Sequence, residues 1–463
     1  MLKIYNSLSR KAEDFKPYDL RQVLMYTCGP TVYSYPTIGN YRTYILGDIL
    51  LRTLKFNGYI VKYVMNLTDV GHLSGDNLGD ADTGEDRVEK AALEEGKTAK
   101  EITDFYINAF MKDLAVLNIS TPSKFTRATE YITQQIALIQ QLEEKGYTYA
   151  TKDGIYFDTA KFKNYGKLSG MSSEQILEGA RVEPNPEKRN PADFALWKFS
   201  AEGTNRLQEW NSPWGIGFPG WHIECSAMAI NELGESIDVH LGGEDLRMIH
   251  HQNEIAQSEC ATEKTFSKYW MHGAFLQVDG KRMGKSEGNA YTIEDVVGKG
   301  FKPLALRYFY FGAHYRTQQN FTWEALENAQ NSLLKIYEIL GSYKLQDGMT
   351  PSQKYRDLFE ETINDDLNMP QALAVFWDLL KSSLPESEKL LTALELDKVL
   401  GIGLEQNVAY IVPSAVMDLA KTRDQYRKSG IWDKADKVRK ELFQMGYVVE
   451  DKSDGTFRVK KQF

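Results

Sequence analysis

The chain has 463 residues, 42% of them hydrophobic, and a formal net charge of −9 at pH 7. This length allows several domains and a sizeable core. The three cysteines form no plausible disulfide framework, and nowhere do eighteen apolar residues follow one another. Composition therefore argues against a disulfide-rich secreted protein and against a transmembrane helix. We expect a cytoplasmic protein with no membrane partner.

The chain begins with the pattern of a parallel α/β unit. Residues 23–27 form an apolar run bounded by Cys28-Gly29-Pro30, which is typical of a strand followed by a turn, and residues 60–67 predict the next strand. Residues 45–54 carry apolar side chains at helical spacing. Gly39 therefore lies where a strand gives way to a helix and where the backbone can approach a phosphate. The stretch matches neither the dinucleotide-binding nor the P-loop glycine motif.

Histidine and cysteine are concentrated between residues 220 and 260, which hold four of the seven histidines and two of the three cysteines. In a helix, His250 and Glu254 at positions i and i+4 project from one face, which suits two ligands of one metal ion. Cys225 offers a thiolate nearby, and Cys28 offers another from far upstream. Histidines and cysteines are also commonly buried without a metal, so spacing alone leaves both interpretations open.

The later segments predict helices and a basic tail. Residues 281–289 contain two glycines, two lysines and one arginine, which suits either a mobile cationic loop or a plain exposed hairpin. Leu326, Leu333 and Leu340 belong to an apolar helical stripe that is typical of core packing. Residues 414–463 hold twelve Lys and Arg against eight Asp and Glu. This tail is therefore either a surface for a polyanion or an ordinary solvated surface.

Seven short motifs follow one another along nearly the whole chain. They are Cys28-Gly29-Pro30-Thr31-Val32-Tyr33, Thr37-Ile38-Gly39-Asn40, Asn66-Leu67-Thr68-Asp69, residues 219–226, the His250-His251 pair with Glu254, residues 282–286, and Asp365-Asp366-Leu367-Asn368. Each motif is weak by itself, but their order and spacing are specific. Together they resemble the cysteinyl-tRNA synthetases.

The resemblance implies an α/β fold of the class I synthetase type. Residues 1–300 would form a Rossmann-like catalytic domain with a connective insertion at about 118–214. Three further regions would follow: a stem-contact region at 301–345, a helical bundle of the tRNA-binding type at 346–405, and a small mixed C-terminal anticodon-binding domain at 406–463.

The resemblance also implies residues that bind zinc and cysteine. One zinc ion per chain would be held by Cys28, Cys225, His250 and Glu254. The pocket for the substrate cysteine would be lined by Thr68, Trp221, His240 and Asp245. Because zinc stabilises a bound thiolate and accepts sulfur readily, a metal bond would separate cysteine from serine better than pocket shape.

Two motifs match the ATP signatures of the class. His-Ile-Gly-His corresponds to Thr37-Ile38-Gly39-Asn40, and Lys-Met-Ser-Lys-Ser corresponds to Arg282-Met283-Gly284-Lys285-Ser286. The expected catalytic residues are Thr37, Gly39, Asn40, Arg282 and Lys285. The expected nucleotide-binding residues are Ile38, Gly39, Asn40, Met283, Gly284, Lys285 and Ser286. Thr37 removes one imidazole donor to the phosphates, Gly284 adds flexibility to the loop, and Lys285 is the expected cation on the migrating phosphates.

The reaction that the resemblance implies is the activation of L-cysteine by ATP and Mg²⁺, followed by transfer to the 3′ end of tRNA(Cys), and we expect a monomeric enzyme. Because the carboxylate is already a nucleophile, catalysis requires positioning and charge neutralisation. Lys437, Arg439 and Lys440 are the expected contacts to anticodon phosphates. Two alternatives stay open: a paralogue that passes cysteine to a small-molecule amine, and a catalytically inactive tRNA-binding paralogue, suggested by Thr37 and Gly284.

Overall fold

The computed structural model describes residues 1–73, 86–170, 186–200, 206–284, 287–346, 348–408, 414–451 and 456–461. The expected ATP-site residues Lys285 and Ser286 therefore lie outside the described residues. The chain divides into two compact units. The first contains Met1–Pro303, Ala313–Thr322 and Ile363–Asn368, and the second contains Leu304–Gly312, Trp323–Thr362 and Met369–Phe463. The finer domain boundaries expected from the sequence stay predictions.

The first unit mixes strands and helices. Its strands are β1 (Lys3–Asn6), β2 (Lys11–Asp14), β3 (Gln22–Thr27), β4 (Ile60–Leu67), β5 (Lys124–Arg127), β6 (Thr148–Thr151), β7 (Gly154–Phe157), β8 (Phe194–Phe199), β9 (Trp210–Ser212), β10 (Gly215–Pro219), β11 (Ile237–Gly243), β12 (Ser267–Gly273), β13 (Leu276–Val278), β14 (Lys281–Arg282) and β15 (Gln319–Phe321). Its helices are α1 (Ile38–Phe56), α2 (Arg87–Glu95), α3 (Ala99–Val116), α4 (Ile132–Glu144), α5 (Trp221–Leu233), α6 (Glu244–Arg247), α7 (His250–Thr262) and α8 (Ile293–Gly298).

A five-stranded parallel sheet forms the centre of the first unit, in the strand order β12, β11, β3, β4, β5. Met25 of β3 pairs with Val239 of β11 on one side and with Tyr63 of β4 on the other. Strand β11 is buried on both faces, which is typical of parallel strands covered by helices. Because the strands are parallel, the residues that follow β3, β4 and β11 meet at one edge of the sheet, where open α/β sheets bind their ligands.

A second sheet lies along the chain between β5 and β11. It is antiparallel, with the strand order β6, β7, β8, β10, β9. A tight turn at Lys152 and Asp153 joins β6 to β7, and Thr151 pairs with Gly154 across it. Most of this sheet falls inside residues 118–214, the expected connective insertion, whose limits stay a prediction.

The second unit is largely helical. The helices that lie wholly or mostly in it are α9 (Pro303–Tyr310), α10 (Trp323–Gly341), α11 (Gln353–Asn364), α12 (Met369–Lys381), α13 (Glu386–Leu400), α14 (Leu404–Asn407), α15 (Ser414–Lys428) and α16 (Trp432–Gln444), and a hairpin of β16 (Tyr447–Asp451) and β17 (Phe457–Lys461) follows them. The predicted apolar stripe of Leu326, Leu333 and Leu340 is fully buried. No helix in the described part of the chain is long and apolar enough to cross a membrane.

Asp366 lies in the last of the three chain segments that make up the first unit, and it bonds to the other two. Its carboxylate accepts hydrogen bonds from the Tyr5 backbone N–H at 2.7 Å, the Tyr315 hydroxyl at 2.7 Å and Arg316 Nε at 2.8 Å. The residue is buried and has a φ of 54°, a left-handed conformation that Asp and Asn tolerate better than most residues. Hydrogen bonds to a buried charged acceptor are among the stronger ones, so this carboxylate stabilises the unit.

We expect Asp366→Asn to lower the free energy of unfolding by about 2 kcal/mol, because the amide keeps the backbone conformation but replaces part of a charged acceptor by a donor. Asp365→Asn, at the exposed neighbouring position, is the matched control and should change it by less than about 0.5 kcal/mol. Urea unfolding followed by tryptophan fluorescence measures both variants. Equal stability of the two would contradict the role given to Asp366.

Candidate active site and metal centre

Four potential metal ligands meet at the edge of the parallel sheet. Cys28 follows β3, Cys225 lies on α5, and His250 and Glu254 lie on one face of α7. The two Sγ atoms are 4.0 Å apart, Glu254 Oε1 is 3.8 Å from Cys28 Sγ, and it is 3.1 Å from His250 Nε2. All four residues are buried. We call Cys28, Cys225, His250 and Glu254 the Cys225 set.

A second group of potential ligands overlaps the first. It consists of Cys28, His240, His251 and Glu254, and we call it the His251 set. His251 Nε2 is 3.3 Å from Cys28 Sγ, and His240 Nε2 is 2.9 Å from Glu254 Oε2. In both sets the four ligand atoms lie within 4.8 Å of one another. The geometry therefore offers two arrangements of four ligands that share Cys28 and Glu254.

The Cys225 set suits a zinc ion. Zinc bonds of about 2.3 Å to sulfur and about 2.1 Å to nitrogen or oxygen place tetrahedral ligand atoms roughly 3.3–3.8 Å apart. The three separations given above, 3.1, 3.8 and 4.0 Å, are close to that range. Two thiols, an imidazole and a carboxylate buried side by side are costly without a cation. Both the donor chemistry and the spacing therefore fit zinc.

The buried ionisable groups of the cluster shift one another's pKa values. Burial raises the pKa of the Glu254 carboxyl, but the charges of His240 and His250 outweigh burial and lower the pKa to about 2. Burial lowers the pKa of His250, whereas the charge of Glu254 and a hydrogen bond with Cys225 raise it to about 10. A hydrogen bond from Cys28 lowers the pKa of the Cys225 thiol to about 7. Glu254 is therefore ionised at neutral pH, and its buried negative charge is stabilised by positive charge nearby.

Further histidines surround the ligands, and the sequence analysis did not identify them as a group. His222 Nδ1 is 3.0 Å from His250 Nδ1. On the other side, His251 Nδ1 is 2.8 Å from His272 Nε2, and His272 Nδ1 is 2.8 Å from Ser7 Oγ. The spacing of His222 three residues before Cys225 was a usable signal. His272 and Ser7 carry no such signal, because they come from β12 and from the residue after β1, which are remote in sequence.

The residues expected to line the cysteine pocket lie at this same edge of the sheet. The Trp221 ring is half-buried and packs on the His250 ring, with the centroids 4.4 Å apart. His240 is buried beside Glu254. Thr68 follows β4 and is buried, and Asp245 follows β11 and is exposed. The structure thus brings Trp221 and His240 against the potential metal ligands. Thr68 and Asp245 follow β4 and β11, the two strands on either side of β3.

The first ATP motif forms the N-terminus of α1. Thr37 is the N-cap residue, and its backbone N–H and hydroxyl donate to Asn40 Oδ1 at 2.8 and 2.9 Å. The Ile38 N–H donates to the Tyr291 carbonyl at 2.8 Å. Thr37 and Asn40 therefore bond to each other and close the first turn of the helix.

The second ATP motif lies against the first. A Cβ atom on Gly39 would lie 3.1 Å from Met283 Sδ, so the two motifs are in close contact and Gly39 leaves room for the methionine. Arg282 is exposed at the end of β14. Asn289 fixes the base of the loop, because its Oδ1 accepts from the Gly284 N–H at 2.8 Å and its Nδ2 donates to the Arg282 carbonyl at 3.1 Å.

Arg42 is a buried residue near this site that the sequence analysis missed. Its guanidinium donates to the carbonyls of Ala274 and Phe275 at 2.6 and 2.9 Å, and to those of Thr317 and His314 at 2.6 and 3.3 Å. These carbonyls lie between β12 and β13 and before β15. Helix α1 begins in the first ATP motif, and β14, which pairs with β13, carries the start of the second ATP motif. Arg42 therefore connects the helix of the first motif to the sheet of the second.

We expect Arg42→Lys to loosen this connection, because an ammonium group has three donors for the four backbone carbonyls to which the guanidinium donates. Hydrogen–deuterium exchange should be faster in peptides covering residues 273–278 and 314–319, while peptides of the second unit keep their protection. Arg21→Lys, at a side chain that is 89% exposed, is the control and should change nothing. Unaltered exchange in both peptides would show that Arg42 does not hold them.

The class of protein follows from the fold together with a family match. Residues 14–331 match the family described as tRNA synthetases class I (C) catalytic domain. A structure of Mycobacterium tuberculosis methionyl-tRNA synthetase in complex with methionyl-adenylate is similar in fold, with a TM-score of 0.54 and 15% sequence identity over 84% of this chain and 92% of that one. The chain is a class I aminoacyl-tRNA ligase with the fold class predicted from the sequence.

Curated relatives give the particular family. Cysteine–tRNA ligase 1 of Burkholderia lata is 44% identical, with 98% of this chain and 96% of the relative covered. The cysteine–tRNA ligase of Treponema denticola is 39% identical over 98% and 99%, and that of Methanococcus maripaludis is 38% identical over 97% of each. The chain belongs to the cysteine–tRNA ligase family, which confirms the resemblance found in its motifs.

Proposed function

We propose that the chain uses ATP and Mg²⁺ to activate L-cysteine as cysteinyl-adenylate and then transfers the cysteine to the 3′ end of tRNA(Cys). The observation that carries this proposal is the buried cluster of two cysteines, a histidine and a glutamate at the ligand-binding edge of the parallel sheet. The relatives support the same pair of substrates, because those named cysteine–tRNA ligase match nearly the full length of the chain.

We assign zinc to the Cys225 set in preference to the His251 set. In the His251 set, the His240 and His251 rings pack on Trp270, which is fully buried, at centroid distances of 4.4 and 5.2 Å. In the Cys225 set, the His250 ring packs on Trp221, which is half-buried. A substrate thiol has to approach the ion from the solvent side, which is the side of the Cys225 set.

Selection of cysteine over serine is the chemical purpose of this arrangement. When bound, zinc supplies a Lewis acid that prefers a thiolate to a hydroxyl group, and pocket shape alone separates such similar side chains only weakly. The chain's own residues would hold the rest of the amino acid: Thr68, Trp221, His240 and Asp245. Glu254 orients the His240 ring by bonding to its Nε2. The buried Nδ1 of His240 has no partner among the described residues, and we propose the substrate as that partner.

ATP would bind at the N-terminus of α1 and beneath the loop that follows β14. The first helical turn carries partial positive charge, and Gly39 lets the backbone approach the phosphates. Arg282 and Lys285 would neutralise the phosphates, while Met283, Gly284 and Ser286 would contact the nucleotide. The Thr37 hydroxyl donates to Asn40 Oδ1, so both side chains would act by shaping the helix start more than by replacing a histidine donor.

The C-terminal segment supports tRNA as the acceptor. Helix α16 exposes Lys437, Arg439 and Lys440 to solvent, and Trp432 at its start is 60% exposed. Cationic side chains position RNA through its phosphates, and an exposed aromatic ring can stack on an unpaired base. An enzyme that passes cysteine to a small amine has no use for such a surface.

We expect zinc-loaded protein to catalyse cysteine-dependent exchange of pyrophosphate into ATP and to charge tRNA(Cys), with serine disfavoured by at least roughly 100-fold. Cys225→Ala should reduce exchange by roughly 100-fold or more, because it removes a proposed zinc ligand. Cys260→Ala is the matched control: Cys260 is buried on the same helix as Glu254 but belongs to neither ligand set, so its loss should change exchange by less than about two-fold.

The outcome of this assay separates the candidate functions. Exchange together with charging supports the proposal. Exchange without charging of any tRNA would favour a small-molecule acceptor. Absence of exchange from zinc-loaded protein would favour an inactive tRNA-binding paralogue, and Thr37 and Gly284 would then mark the loss of activity.

X-ray absorption at the zinc edge distinguishes the two ligand sets. The Cys225 set predicts two sulfur ligands at about 2.3 Å and two nitrogen or oxygen ligands at about 2.0–2.1 Å. The His251 set contains only one sulfur. A spectrum fitted by one sulfur in substrate-free protein would contradict our assignment, and added cysteine should raise the sulfur count from two to three if the substrate thiol binds the metal.

A further inference from the structure

His222 lies beside a proposed zinc ligand without being one. It is on α5, three residues before Cys225, and its Nδ1 is 3.0 Å from Nδ1 of His250 at the start of α7. Both residues are 2% exposed. Two ring nitrogens at this distance share one hydrogen atom, so one of the two histidines donates and the other accepts.

The ligand geometry decides which histidine donates. His250 Nε2 faces the cluster, 3.1 Å from Glu254 Oε1. A neutral imidazole carries one N–H, and a metal-binding nitrogen needs a free lone pair. When His250 binds a metal through Nε2, its hydrogen atom must therefore be on Nδ1. His222 is then the acceptor.

We infer that His222 is a positioning residue that accepts the Nδ1 hydrogen of His250 and so fixes the tautomer in which His250 Nε2 binds zinc. This inference rests on the proposed function, since it presupposes zinc in the Cys225 set. Metal-binding histidines usually donate their second N–H to a carboxylate or a carbonyl, and such partners contribute about 10- to 100-fold to metal affinity.

The charge of the cluster explains why a neutral acceptor suits this position. Two thiolates and the Glu254 carboxylate already exceed the charge of one dication. A carboxylate at position 222 would add a further buried negative charge, which is costly in a dry site. A neutral imidazole accepts the same hydrogen bond without that charge.

The surroundings of His222 hold its ring in place. Gln257 on α7 donates from Nε2 to the His222 backbone carbonyl and, at 2.7 Å, to the Ser226 hydroxyl on α5. The Phe194 ring packs edge-on against the imidazole, with the centroids 5.5 Å apart. The two helices are thus bonded to each other next to the pair of Nδ1 atoms, which fixes the distance between them.

Two substitutions at position 222 separate hydrogen bonding from packing. His222→Leu fills a similar volume but has no acceptor, and we expect it to weaken zinc binding about 10- to 100-fold. His222→Asn can offer its amide oxygen near the place of Nδ1 and should stay within a few-fold of the wild type. Phe194→Leu disturbs the packing of the same ring without touching the hydrogen bond, so it should bind zinc as the wild type does. Competition with a chromogenic chelator measures all four affinities.

A second readout needs no substitution at position 222. In the wild-type protein loaded with zinc, long-range ¹H–¹⁵N correlation spectra of ¹⁵N-histidine should show His250 as the Nδ1–H tautomer, with its signals identified by their loss in His250→Asn. An Nε2–H tautomer would overturn the inference even if His222→Leu fails to fold.

The affinities separate failure of this inference from failure of the proposed function. Wild-type protein that does not bind zinc would overturn both. If the wild type binds zinc and His222→Leu binds it equally well, or if His222→Asn is as weak as His222→Leu, only the role of His222 is overturned. Loss in His222→Leu with recovery in His222→Asn supports it.

Discussion

The buried carboxylate of Glu254 is the group on which the candidate site depends. Its two oxygens lie 2.9 Å from His240 Nε2 and 3.1 Å from His250 Nε2, and Cys28 Sγ is 3.8 Å away. An ionised carboxylate in a dry environment is costly unless positive charge and hydrogen-bond donors surround it. The histidines around it meet part of this demand. A zinc ion bound by the two cysteines would supply the remaining positive charge. The need to compensate the charge of Glu254 therefore explains why histidines and cysteines surround it.

The fold and the site are connected through the edge of the parallel sheet. Strands β3, β4 and β11 end together there, so Cys28, Thr68 and Asp245 lie at one edge of the sheet although they are far apart in sequence. The two ATP motifs lie near the same edge, and Arg42 connects α1 to the chain around β13 and β15 by donating to backbone carbonyls. A guanidinium suits this task because its planar set of donors satisfies several fixed acceptors at once.

The departures at the ATP motifs have a structural account. Where the class signature has histidine, Thr37 caps α1 and donates to Asn40. The pair preserves the start of a 19-residue helix, and with it the partial positive charge that favours phosphates. What is lost is one side-chain donor, so the backbone and the cations of the second motif carry more of the proposed phosphate binding.

The sequence by itself determined the features that depend on the repeat of side chains along a single helix or strand. The strand at residues 60–67, the buried stripe of α10 and the shared face of His250 and Glu254 were all predictable, because helical and strand repeats fix which nearby side chains point together. The motifs also identified the family. Only the tertiary structure decided that His222 meets His250 and that His272 reaches the cluster. Those contacts depend on how remote strands and helices pack, and no local repeat encodes that packing.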